Sequence, residues 1–341
     1  MEKPVLTDRR ENCFNFIRIL AAIQVFLGHG ITHFELNIAK PIDFFLSILQ
    51  GVPIFFILSG FLIWNSLENA PNFKIYAKKR ILRLYPELWG GVIVNMIVMI
   101  ILYRENIKFI PFIVFQFTQS TFLQFWTPNS LRGYGCSCPN GSLWTICVMV
   151  QSYIVIYFMK KFLNNKKEKW ILTLGIFTIF NIITPYFAKF LPTILYKLFC
   201  QTFIPYLWLF LLGGMVCEYF DSLIYYLKKY WSVFILISAF FSYLKIDMGI
   251  YGTIKSLFLG LAIIGFAYRF PNIKIKKDFS YGLYIYHMII INAMLHLGLI
   301  GSVKYLIIAF MISFILAIIS YNTLGQIGKK LKLKLNKEKM I

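Results

Sequence analysis

Residues 14–30 read FNFIRILAAIQVFLGHG, an apolar run long enough to begin a membrane span, yet it carries an arginine at position 18 and a histidine at position 29. In a helix these two positions are about three turns plus 20° apart, so Arg18 and His29 project from one face, separated by about 16 Å along the axis. A charged group in hydrocarbon costs at least about 2.5 kcal/mol, and such residues usually face a polar cavity that marks a functional pathway. Taken singly, each has a local explanation: Arg18 snorkels to the interface, and His29 hydrogen-bonds a neighbouring helix. Taken together on one face, they point to a common cleft.

The rest of the chain repeats the apolar pattern. Of its 341 residues, 59% are hydrophobic and mean hydropathy is +0.68, a composition that no soluble domain of this length carries on its surface. Apolar runs fall near 14–34, 42–64, 87–103, 142–159, 170–188, 203–220, 231–246, 249–268, 279–299 and 303–324. The expected fold is therefore all-α, a polytopic membrane bundle of about ten helices. Residues 1–341 form a single integral-membrane domain, with a helical bundle over 13–325 and a basic tail over 326–341. The segment 107–126 contains Pro111, Gln116, Thr118, Gln119 and Ser120 and reads as re-entrant or interfacial, as does 193–205. Arg18 and the lack of a small-residue cleavage site mark the first run as a retained anchor.

The net charge is +21. The basic residues sit in short clusters between spans, the pattern of topology signals and lipid-headgroup contacts, which argues against nucleic acid as a partner. Alternate connections are the basic ones, including Lys74–Arg83, Lys160–Lys169, Lys228–Lys229 and Arg269–Lys277, and Lys3 and Lys339 place both ends with them. By the positive-inside rule both termini are cytoplasmic and the protein is a multi-pass component of the cytoplasmic membrane. Cys13, Cys136, Cys138, Cys147, Cys200 and Cys217 have no zinc or C-x-x-C spacing. Cys136 and Cys138 share a loop, as free thiols or as an oxidised pair if that loop is extracytoplasmic. His29 and His33 are one turn apart with no carboxylate nearby, and no metal is expected.

Arg80 and Arg83 are neighbours on one helical face ahead of Tyr85-Pro86. Two guanidinium forks suit a phosphate-rich ligand; the same cluster also reads as a topology and headgroup signal. With Arg18 and His29, the blocks GVPIFFILSGFLI (51–63), KRILRLYPELW (79–89), NGSLWTICVMVQSYIV (140–155) and DFSYGLYIYHMI (278–289), in that order, resemble the acyltransferase-3 family of membrane O-acyltransferases. The resemblance implies an enzyme that takes an acyl group, usually acetyl, from cytoplasmic acyl-CoA (acetyl-CoA). It delivers that group to a hydroxyl of a surface polysaccharide or lipid-linked sugar.

On that reading Arg80, Arg83 and Tyr85 hold the coenzyme phosphates and Arg18 completes the anion site or orients the thioester. Ser59 and Gly60 permit close approach of the ligand, or of a packed helix. His29, toward the outer end of its helix, is the general base for the acceptor hydroxyl, because imidazole titrates near neutral pH. His287 lies nearer the start of its own span and thus nearer the donor, so one histidine toward each side predicts a membrane-crossing acyl path. Asn140, Ser142 and Trp144 either contact the acceptor sugar or cap and start a helix. Two departures from the family pattern stand out. Met149 occupies a position where the family usually has Glu, and SYNTLGQIGKK (320–330) lacks the usual acidic residue followed by Lys-Pro. Met149 keeps two other classes in play, a transporter of glycan intermediates and a catalytically silent partner.

Overall fold

The computed structural model describes residues 8–68, 72–124, 126–163, 166–245 and 249–337, and among them there is no strand. Fourteen α-helices follow one another. They are α1 Phe14–His33, α2 Lys40–Ile48, α3 Gly51–Glu68, α4 Phe73–Leu102, α5 Phe109–Gln119, α6 Trp144–Leu163, α7 Lys167–Phe187, α8 Thr193–Phe199, α9 Leu207–Glu218, α10 Phe220–Tyr243, α11 Gly249–Arg269, α12 Ser280–His296, α13 Val303–Ser320 and α14 Gln326–Lys337. Eight stretches among the described residues are long and apolar enough to cross a membrane. Each of the ten expected spans has a helix at its place, but α9 and α12, of 12 and 17 residues, are shorter than those eight. The protein is an all-helical, multi-pass membrane protein. Lys3 and Lys339 lie outside the described residues.

Three boundaries differ from expectation, each for a local reason. The span expected over 42–64 breaks at Leu49, and α3 restarts with Pro53 in its first turn, where a missing backbone N–H costs nothing. The span expected from 87 begins instead at Phe73, where the Asn72 side chain caps the backbone N–H of Ile75 at 3.0 Å. The basic cluster Lys74–Arg83 is thus helical, and α4 continues through Pro86. Proline supplies no N–H to the carbonyl of Leu82, and Gly328 of α14 lies so close to that oxygen that an added Cβ would sit 2.3 Å from it. Finally, the expected tail from 326 is α14, joined to α13 through one π-turn at Tyr321–Gly325.

The chain divides into two compact units. The first comprises residues 1–21, 39–69 and 148–277. In it α10 pairs with α11, and α3 pairs with α9 at a near-backbone contact: a Cβ on Gly60 would lie 2.1 Å from the Phe210 carbonyl oxygen, and one on Gly213 2.0 Å from that of Ile57. Small residues at such crossings replace the hydrophobic drive that lipid does not supply. Trp64 locks the end of this pair, stacking edge-on against Trp170 at 4.6 Å and donating Nε1–H to Glu218 at 2.7 Å.

The second unit comprises residues 22–38, 70–147 and 278–341 and is organised about α12. That helix is apolar around most of its circumference and buried along nearly its whole length, packing on α13 and α4. Glycines set both approaches, since a Cβ on Gly282 would meet Ala317 and one on Gly91 would meet Ile285. Phe26, Phe34, Met288, Ile291 and Met294 close the core around the C-terminal half of α1.

Candidate active site

Within the second unit three histidines form a row. His287, fully buried on α12, has its ring centroid 5.3 Å from that of His29 on α1, and His29 stacks in parallel on His33 one turn later at 5.8 Å. The sequence-based expectation that His29 and His287 serve opposite sides is therefore corrected. Two helices bring the rings into contact, because α1 ends against the middle of α12 rather than running alongside its start. His287 Nδ1 lies 2.7 Å from the carbonyl oxygen of Tyr284, one turn earlier. A carbonyl only accepts, so Nδ1 carries the proton and the neutral ring presents its lone pair at Nε2. Nε2 is buried and makes no hydrogen bond to the described residues. A buried base lone pair on a ring held by backbone is suited to accepting a proton or an acyl group.

The loop before α6 is fastened to the same helix. Asn140 donates Nδ2–H to the Ile285 carbonyl at 3.1 Å, and Ser142 donates to Asn140 Oδ1 at 2.8 Å. Tyr284 donates its hydroxyl to the Ser142 carbonyl at 2.9 Å and meets Thr145 Oγ1 at 2.6 Å. Asn140 and Ser142 are both buried. They brace the histidine-bearing helix, and Asn140 makes no side-chain cap. Trp144, half-buried at the first position of α6, keeps an aromatic face at this place. Asn292, which the sequence reading passed over, is fully buried and saturates the loop: its Oδ1 accepts from Cys136 N–H at 2.7 Å, and its Nδ2 faces the carbonyls of Cys138, Pro139 and Met288 at 3.1, 3.1 and 2.8 Å. Gly135 with φ +53° gives the turn that lets the loop reach it. Burial pushes the Cys136 thiol above its ordinary range.

A second polar group of the same unit surrounds Arg83. Its guanidinium lies 3.7 Å from Glu87 one turn along α4 and 3.6 Å from Asp278 ahead of α12. Glu87 is itself buried and accepts from Ser320 Oγ at 3.2 Å. Asp278 receives the backbone N–H of Ser280 at 3.1 Å, so one cation ties α4 to the start of α12. The i, i+4 spacing of Arg83 and Glu87 is the signal that would have found this pair. Arg80 lies over the ring of Tyr76 at 5.7 Å, and Tyr85 packs edge-on against Trp89 at 5.8 Å. Tyr281 donates to the Leu84 carbonyl at 3.0 Å. The hydroxyls of Tyr281 and Tyr284 are thus engaged with backbone.

In the first unit, Gly60 packs against α9, the close helix contact that its small side chain permits. The neighbouring Ser59 donates its hydroxyl to Met149 Sδ at 3.8 Å, and Tyr153 does the same at 3.6 Å. Two hydroxyl donors thus converge on a thioether, a weak acceptor. Arg18 is partly buried on α1, which is unbroken from Phe14 to His33. Among the described residues no three His, Cys, Asp or Glu side chains come together in a metal-holding arrangement.

The chain is 26% identical to nodulation protein 10 of Rhizobium leguminosarum bv. viciae over 360 aligned positions, covering 95% of each. It is also 26% identical to an O-acetyl transferase of Shigella phage Sf6 over 315 positions, covering 86% of this chain and 89% of that protein. No solved structure matches it. The model of the acyltransferase-3 family, described as an acyltransferase domain, matches residues 11–322, and the chain belongs to that family of membrane O-acyltransferases.

Proposed function

We propose that this protein transfers an acyl group, acetyl in the simplest case, from a coenzyme A thioester on the cytoplasmic side of the cell membrane to a hydroxyl of a surface polysaccharide or lipid-linked sugar. The observation that carries the reading is the contact of His29 with a buried His287 whose Nε2 lone pair is left available. Support for acetyl comes from the phage relative, which is named an O-acetyl transferase.

In this reaction the acceptor O–H is broken as its oxygen bonds to the thioester carbonyl carbon, the C–S bond then breaks, and the proton ends on the departing thiolate. His29 is the base that holds the proton between those events. His287 either passes that proton on or carries the acyl group at Nε2 as an intermediate, which the ring contact makes a short step. Arg80, Arg83 and Tyr85 bind the phosphate-rich end of the donor, Arg83 being fixed in place by Glu87 and Asp278. Arg18, eleven residues before His29 on α1, supplies a cation to the donor, and Trp144 offers a stacking face to a sugar.

The test is purified protein with acetyl-labelled coenzyme A thioester and a glycan extract from the host. Acceptor-dependent release of free coenzyme A, with a base-labile acetyl ester on the glycan, is the expected result. No release with any acceptor fraction, from protein that is folded, defeats the proposal.

A further inference from the structure

The basic residues after position 325 read in sequence as a tail, but α14 is docked on the bundle. The carbonyl of Leu82, whose normal helical donor Pro86 removes, is met by Gly328, and this contact lays α14 along α4. Lys332 follows Gly328 by one turn on the same face of α14. It is partly buried and interacts electrostatically with Lys79, Arg80 and Arg83 of α4. Lys329 and Lys330 differ: both are exposed, and Lys329 donates to the Tyr321 hydroxyl at 2.7 Å. Among the described residues, Glu87 and Asp278 also enter this group, through Arg83.

Lysine and arginine side chains brought together from two adjoining helices are suited to a multiply charged anion such as phosphate. The geometry points to Lys332, together with Lys79 and Arg80, as a phosphate-binding cluster for the nucleotide end of the acyl donor, with Arg83 forming its fixed wall. This inference rests on the coenzyme A reading above and adds to it a third element, α14. Phosphate is also the chemistry of an acidic lipid headgroup, so the test must separate the two sources.

Full-length protein in neutral detergent is titrated with coenzyme A and with pantetheine, which lacks every phosphate. Lys332→Ala is expected to weaken coenzyme A binding about tenfold and leave pantetheine binding unchanged, while Lys332→Arg restores most of the loss. Lys330→Ala, on the exposed side of α14, is expected to bind as wild type does. A wild-type protein that binds no coenzyme A defeats the donor reading itself. Wild-type binding with equal affinity in a folded Lys332→Ala defeats this inference alone. The inference also fails if that variant keeps its coenzyme A affinity but loses a stabilisation by phosphatidylglycerol in nanodiscs, because the phosphate then belongs to lipid.

Discussion

His287 gives its Nδ1 proton to the Tyr284 carbonyl at 2.7 Å, so the backbone of α12 itself selects the tautomer of the ring that touches His29. Asparagine reproduces that N–H donor and nothing else of the imidazole. His287→Asn should therefore keep the thermal midpoint of wild type within a few degrees. Its acyl transfer should fall by about 10²–10⁴, the usual range for loss of a positioned proton acceptor. Turnover measured alongside a melting curve decides it, and full activity in a folded variant removes His287 from the chemistry.

The Arg83 group predicts an asymmetry. Arg83→Ala leaves the buried Glu87 carboxylate without its partly exposed cation and should cost about 1–2 kcal/mol, whereas the joint change Arg83→Leu with Glu87→Leu should recover a large part of it. Denaturation of the single and double variants in detergent gives the comparison. Equal costs for both would show that the pair is solvated and contributes little.

Two glycines separate packing from propensity. Gly60→Ala places a methyl group against the Phe210 carbonyl and should lower the thermal midpoint sharply or abolish folding. At Gly28, in the middle of α1, an added Cβ meets no atom within 4 Å, and Gly28→Ala should be neutral or stabilise by about 0.5–1 kcal/mol. Similar melting curves for the two variants would contradict the α3–α9 contact.

Burial raises the Cys136 thiol pKa, so at a given pH less of it is thiolate than in a solvated cysteine. In a variant retaining only this cysteine, alkylation should be slow at pH 7–8 and keep rising with pH beyond about 8.5, where an ordinary thiol is half ionised. Adding Asn292→Ala, which strands the Cys136 N–H and three carbonyls, should loosen the loop and speed labelling at every pH. A rate that levels off near the ordinary thiol range would place Cys136 in water.

Much of this was legible in residue order alone. The all-helical class, the place of every span and the family follow from apolar runs and four ordered motifs, which are local properties. The histidine contact was not legible, because spacing within α1 and within α12 fixes faces but not which turn of one meets which turn of the other. The bonds of Asn140 and Ser142 were hidden for a related reason: a polar side chain ahead of a helix reads as a cap or a ligand contact, and only the tertiary fold shows it bonded to another helix. Gly60 and Gly213 are small in sequence either way; only the fold shows the carbonyls they pack against. Asn292 and Lys332 gave no signal, since one is a single amide in an apolar helix and the other one lysine among several.

The opening that Pro86 leaves at the Leu82 carbonyl acts as an address written in the main chain. It can be read only by a residue whose side chain is a single hydrogen, so the docking of α14 hangs on one atom at position 328. Exchange of Gly328 for even the next-smallest residue would lift a whole turn of helix from its seat. The lysine riding on that turn would move with it, coupling the position of a charge to the identity of a residue that carries none.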